Sequence, residues 1–106
     1  MNMFRHGDVI LTSVEEPYKL ASDMREAPRD ENGYIVLAKG TATGHGHRIR
    51  SKEARLFQGA DARVLVTTSD VELTHEEHKT ITLPSGTYTV TIARNYTPDG
   101  WRDVQD

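Results

Sequence analysis

The sequence has no cysteine in its 106 residues, which excludes disulfides and thiolate ligands and leaves histidine and carboxylate as the strong protein ligands for a metal ion. Any zinc site would be histidine-rich. A long apolar run is also missing. Residues 1–8 include Arg5, His6 and Asp8, and they offer neither the core of a signal peptide nor a membrane span. A cytoplasmic location with no membrane partner is the expectation. The chain lacks a basic excess as well: its net charge of −3 argues against coating nucleic acid by bulk electrostatics. Neither a sustained helical period nor an internal repeat is present. The apolar fraction of 36% is low, so the hydrophobic residues have to be concentrated in strands.

A chain of this length fits one domain, residues 1–106, because two cores would each bury too little surface to offset chain entropy. Residues 8–14 read as a strand after the breaker Gly7. Residues 15–32 carry Pro17, Pro28 and six acidic residues and read as a long, flexible polar excursion with at most a helical turn near 20–25. The continuous apolar run 34–38 is expected to be the central strand, buried on both faces. A strand loosened by glycines follows at 44–50, with a bulge or a close ligand approach implied. Residues 54–58 and 62–68 form a strand pair, and 71–74 continue the meander. Residues 79–83 and 87–95 flank Pro84-Ser85-Gly86, which signals a hairpin. A turn at 97–100 leads into a short terminal strand at 101–104. About eight short strands predict an all-β fold, a small barrel or sandwich.

The chemical signal lies in the histidines. His45 and His47 are two apart, so in a strand their side chains share a face, and Ile49 has the same parity. If Ile49 points inward, both imidazoles do, while Arg48 and Arg50 point out. In Thr74-His75-Glu76-Glu77-His78, two local structures bring the histidines together. A two-residue loop at Glu76-Glu77 sets them across a strand pair, and a capped helical turn stacks them at i and i+3. Val71, Leu73 and His75 share strand parity, which aims His75 along the buried face. The spacing of three differs from the zincin pattern of two histidines four apart. A histidine at a strand end often only caps a carbonyl or a carboxylate. Here five histidines fall in three places, His6 being the third, with Glu72, Glu76 and Glu77 near them, and convergence on one site is expected.

The basic run Arg48, Arg50, Lys52 and Arg55 reads as a solvated strand edge, with phosphate binding as the alternative. Tyr88, Val90 and Ile92 continue at the same parity to Arg94 and Tyr96, the polar end of an apolar face, where Arg94 reads as the partner of a carboxylate, with an anion clamp as the alternative, and Tyr96 as a hydrogen-bond donor. Trp101 either closes the core or stacks on a base or sugar.

The segments Arg5-His6-Gly7-Asp8, Thr43-Gly44-His45-Gly46-His47-Arg48-Ile49, Thr74 to His78 and Leu83-Pro84-Ser85-Gly86 resemble a group of small uncharacterised bacterial and phage proteins. That resemblance implies a complete protein and carries no activity. His45-Gly46-His47, Glu53, Gly59 and Pro84-Ser85-Gly86 resemble the cupins, small β-barrels, although Glu53 lies far from His47 and Thr89 stands where a third histidine is expected. The likeness is architectural.

Together these features predict an all-β domain that binds one zinc, iron or manganese ion through His45, His47 and one or both of His75 and His78. Glu76 or Glu77 would act as general base in hydrolysis of a small anionic or phosphate-containing substrate held by Arg48, Arg50, Arg94 and Tyr96. The alternatives are a non-catalytic module that binds protein or nucleic acid, and a metal-free histidine-dependent ribonuclease. The sequence leaves the oligomeric state open.

Overall fold

Alternation of apolar and polar residues at period two builds strands with one face dry, and two such sheets close on each other by burying those faces. The computed structural model describes residues 2–39, 45–97 and 100–103, with backbone only over 94–97 and 100–103. Twelve strands occur among these residues. They are β1 (Met3–His6), β2 (Val9–Ser13), β3 (Arg25–Glu26), β4 (Ile35–Lys39), β5 (Gly46–Ile49), β6 (Ala54–Gln58), β7 (Arg63–Thr67), β8 (Val71–Thr74), β9 (Ile81–Leu83), β10 (Gly86–Ile92), β11 (Arg94–Thr97) and β12 (Gly100–Asp103). Ten of them form two antiparallel sheets, ordered β1-β2-β10-β7-β6-β3 and β4-β5-β8-β9, and β11 pairs only with β12. The fold is therefore all-β, as predicted, with more strands than the eight expected. It is a sandwich of two open sheets, not a closed barrel. The described residues contain no helix, and none long and apolar enough to cross a membrane.

The core lies between the sheets. Val9, Leu11, Leu56, Leu65, Tyr88 and Val90 face Ile35, Leu37, Ile49, Val71, Leu73 and Leu83 across it.

Several local expectations fail because a turn signal fixes a bend but not the partner of the strand that follows. Pro84-Ser85-Gly86 does not close a hairpin: β9 pairs with β8, whereas β10 pairs with β2 and β7. The turn carries the chain from one sheet to the other. Thr67 holds it there, its Oγ1 accepting the Gly86 amide at 3.0 Å and donating to the Pro84 carbonyl at 3.3 Å. The stretch 71–74 likewise leaves the sheet of β7 and joins β5 in the other.

The apolar run 34–38 forms β4, which pairs with β5 alone and so is an edge strand, not a central one. Its inward residues Ile35 and Leu37 are buried, while Val36 and Ala38 are half-buried. The outer side is covered from the other sheet and from the polar excursion. Arg63 donates to the Leu37 carbonyl at 2.7 Å, and Arg29 reaches the carbonyls of Gly33, Ser51 and Ala54 at 2.7 to 2.8 Å. Residues 20–25 form no helix, only a single turn closed by the Met24 amide on the Ala21 carbonyl at 3.0 Å, and Arg25–Glu26 extends the larger sheet by pairing with Gln58 and Phe57. The irregularity implied near the glycines lies opposite them, on β4, where the register shifts between Val36 and Ala38. A register shift of this kind re-aims side chains. The predicted turn at Pro98-Asp99 lies outside the described residues, although the strands on either side of it do pair.

Candidate metal centre

Three chain segments meet at one end of the sandwich. The first is the tight loop Gly7-Asp8 joining β1 and β2, whose last pair is His6↔Val9. Glycine stands at the first central position with φ +61°, the conformation that a type II′ hairpin loop requires there. The second is the start of β5, where His47 and Ile49 share the inward face and both are 0% exposed. The third is the connection from β8 to β9. It is neither a two-residue hairpin nor a helical turn, because the last pair is Leu73↔Ile81 and residues 75–80 lie between the strands. His75 organises this loop by accepting the Glu77 amide on Nδ1 at 3.0 Å.

The five histidines converge. The His47, His75 and His78 rings stand 4.5, 5.6 and 4.6 Å apart between centroids, His6 lies 4.9 Å from His47, and His45 lies 5.6 Å from His75. One nitrogen from each of His47, His75 and His78 falls within 4.8 Å of the others. The expected pairing of His45 with His47 in one ligand set is not what forms. His45 instead groups with His75 and Glu76.

Proton positions follow from the hydrogen-bond partners. His6 Nε2 lies 2.9 Å from the Lys79 carbonyl, so it must donate. Burial pushes the His6 pKa below the ordinary imidazole value; the Lys79 carbonyl opposes this, and His78 and His75 add to it. A neutral His6 therefore has an accepting Nδ1, and the 2.8 Å contact with His47 Nδ1 makes His47 the donor. This relay leaves His47 Nε2 as the nitrogen that takes a proton or a metal, and Asp8 Oδ1 stands 3.2 Å from it. A bare nitrogen lone pair against a carboxylate is unfavourable, so the geometry suits a positive charge at this point, carried by a proton or by a metal ion.

A sign follows for stability. The unfolded chain has an ordinary histidine at position 6, whose pKa is 6.5, and the folded value is lower. As pH falls below about 6.5 the unfolded state takes up the proton first, so the His6 contribution is intact at neutral pH and is lost through the acid range. The metal-free protein is expected to melt at a lower temperature at pH 5 than at pH 7, with a shallower slope in His6→Gln. Calorimetric scans across that range test it, and an unchanged slope in the variant would assign the acid sensitivity elsewhere.

The carboxylates divide. Glu76 accepts the Gly46 amide at 2.9 Å and Arg48 Nη1 at 2.6 Å. Desolvation raises its pKa, but the Gly46 amide, its own amide and Arg48 outweigh this and bring it down to about 2. Arg48 is thereby engaged with Glu76 at the rim, while Arg50 is exposed and lies along Tyr34, Ser51 and Glu72, away from the histidines. Glu77 is exposed, its Oε1 3.4 Å from His45 Nδ1. The side chains of Arg94, Tyr96 and Trp101 lie outside the described residues. His78 Nε2 is shut off from solvent and has no hydrogen-bond partner among the described residues.

Asp8 and Gly7 were absent from the predicted site and His6 had no role in it. Their signal was available. Two short strands separated by Gly-Asp make a hairpin pattern that places His6 and Asp8 side by side at its tip, but Met3–His6 is too short and too polar to stand out as a strand.

A family model described as a domain of unknown function (DUF8820) matches residues 5–93. The match takes in all five histidines and Asp8 and ends before β11. No curated protein and no solved structure matches the chain.

Proposed function

The chain belongs to the DUF8820 family, and from its site geometry we propose that it is a divalent-metal-binding protein whose ligands are His47, His75 and His78. One observation carries this reading: the three imidazoles bring nitrogens within 4.8 Å of one another at a mostly buried point. Tetrahedral zinc with bonds of about 2.0 to 2.1 Å needs nitrogens about 3.3 Å apart, a contraction that small ring rotations supply. Neutral imidazoles suit zinc, iron or manganese. His6 and Asp8 play supporting parts, His6 by fixing the tautomer of His47 and Asp8 by adding negative charge beside Nε2. Ligation by His75 through Nε2 requires its Nδ1 to give up the Glu77 amide, so metal binding and the shape of the 75–80 loop are coupled.

When bound, the ion supplies a Lewis acid that acidifies water at an open position. We assign the general base to Glu77, which is exposed and close to His45, and not to Glu76, whose carboxylate is ion-paired with Arg48 and is the poorer proton acceptor. Hydrolysis of a small anionic or phosphate-containing substrate is the extension of this reading. Of the expected substrate-holding residues, Arg48 is engaged by Glu76 and Arg50 lies away from the histidines, which leaves Arg94 and Tyr96 as the candidates. The metal-free ribonuclease reading has less support, because His47 and His6 are 0% and 3% exposed and neither reaches an RNA backbone.

Purified protein is expected to retain close to one equivalent of zinc, iron or manganese by elemental analysis. Metal at a hundredfold excess over its Kd should stabilise the stripped protein by about 2.7 kcal/mol, a rise in Tm of about 10 to 20 °C for a domain of this size. Glu77→Gln should keep that rise while removing any hydrolysis found. Absence of both retained metal and thermal response would leave the binding-module reading in its place.

A further inference from the structure

His75 belongs to two ligand groups. The inner one is the trio with His47 and His78. In the outer one, ligand atoms of His75, His45 and Glu76 also lie within 4.8 Å of one another. The two differ in access. His47 and His75 are 0% and 8% exposed, whereas the side chains of His45 and Glu76 are 23% and 41% exposed. The inner group is also closed from below, where a Cβ on Gly7 would meet His78 Nε2 at 2.7 Å and His47 Cε1 at 2.9 Å.

A second observation points to a cation at the outer group. His45 Nδ1 is shut off from solvent and has no hydrogen-bond partner among the described residues, and it faces Glu77 Oε1 at 3.4 Å. A shielded nitrogen beside a carboxylate requires a proton or a metal ion between them. Glu76 is fixed at the exposed rim by one hydrogen bond on each oxygen, from the Gly46 amide at 2.9 Å and from Arg48 at 2.6 Å, and each oxygen keeps a lone pair for an ion.

We propose that His45, His75 and Glu76 form an outer divalent-cation site through which the ion passes to the inner site. The inference rests on the reading of His47, His75 and His78 as a metal centre. Because each group needs His75, the two sites are filled in turn and not together. An ion reaching the buried trio must shed its water in steps, and the outer site allows this with one carboxylate and one half-exposed imidazole already in place. Transfer then needs His75 to release the Glu77 amide and turn towards His47 and His78. The outer site thus governs the rate of loading and leaves the final occupancy to the inner one.

Stopped-flow mixing of the stripped full-length protein with zinc held by a chromophoric chelator at pH 7.5 tests this. The wild type should take up one equivalent. His45→Ala should reach the same endpoint more slowly, by loss of a ligand. Glu76→Gln keeps an acceptor for the Gly46 amide and should also slow uptake, by about tenfold or more, the lower range of what a charged approach adds to an association rate. One equivalent taken up at unchanged rates in both variants overturns the outer site and leaves the inner one standing. Two equivalents in the wild type, or loss of the bound equivalent in His45→Ala, overturns the sharing of His75 or the placing of His45. No uptake by the wild type removes the inner site and this proposal with it.

Discussion

Alanine at position 47 is expected to lower the melting temperature of the metal-free protein by on the order of 15 °C and to abolish its response to zinc or manganese. The His47 ring is fully buried between the start of β5 and the Gly7-Asp8 loop. Its removal opens a cavity of the kind that costs about 3 kcal/mol or more for a large buried side chain. It also removes the donor to His6 Nδ1, 2.8 Å away, and a stranded polar atom adds about 1 to 3 kcal/mol unless water reaches it. Relaxation around so small a site offsets part of that sum. His47→Asn separates packing from ligation. Its amide nitrogen stands close to the place of Nδ1 and can still donate to His6, but it has nothing at the place of Nε2. This variant should recover much of the lost stability and none of the metal response. Thermal scans with and without metal read both effects, and an asparagine variant that still responds to zinc would take His47 out of the ligand set.

The parts of this site that were legible in the sequence are those encoded by local periodicity. Side chains two apart in a strand share a face, so His47 could be placed with Ile49 and His75 with Leu73 without knowing which strands meet. Both are buried. The same rule assigned His45 to the company of His47, but it fails there because His45 lies just before β5 begins and its ring turns towards His75 and Glu77. Periodicity also says nothing of partners. Pro84-Ser85-Gly86 bends the chain as expected, yet the flanking strands go to different sheets, because Leu83 and Tyr88 fill the core from opposite sides. The run 34–38 is apolar enough for a central strand, and its edge position is tolerated because Arg63 and the 27–30 segment cover it. His6 and His47 are 41 residues apart in sequence. Nothing local joins them, and the contact exists only once the β1–β2 hairpin of one sheet lies over β5 of the other.

Gly7→Ala is expected to abolish the metal response while lowering the metal-free melting temperature by only about 10 °C. Two costs combine at this position. The first is backbone strain: φ is +61°, and a side chain there costs about 1 to 2 kcal/mol. The second is steric, since the new Cβ would stand 2.7 Å from His78 Nε2 and 2.9 Å from His47 Cε1. His47 is held by His6 and by full burial, so it yields little. His78 is only half-buried, so its ring yields before that of His47 and relieves the clash at a modest cost in stability. That movement carries Nε2 away from His47 and His75, and the trio no longer closes on an ion. Gly7→Asn divides the two costs, because asparagine tolerates positive φ better than alanine but carries the same Cβ. It should melt higher than Gly7→Ala and still fail to respond to zinc. His78→Ala combined with Gly7→Ala should show a stability loss smaller than the sum of the single changes, since the ring that meets the new Cβ is gone. If Gly7→Ala folds and still binds zinc as the wild type does, His78 is not a ligand, and the close approach of the Gly7 backbone to the imidazoles is a matter of packing alone.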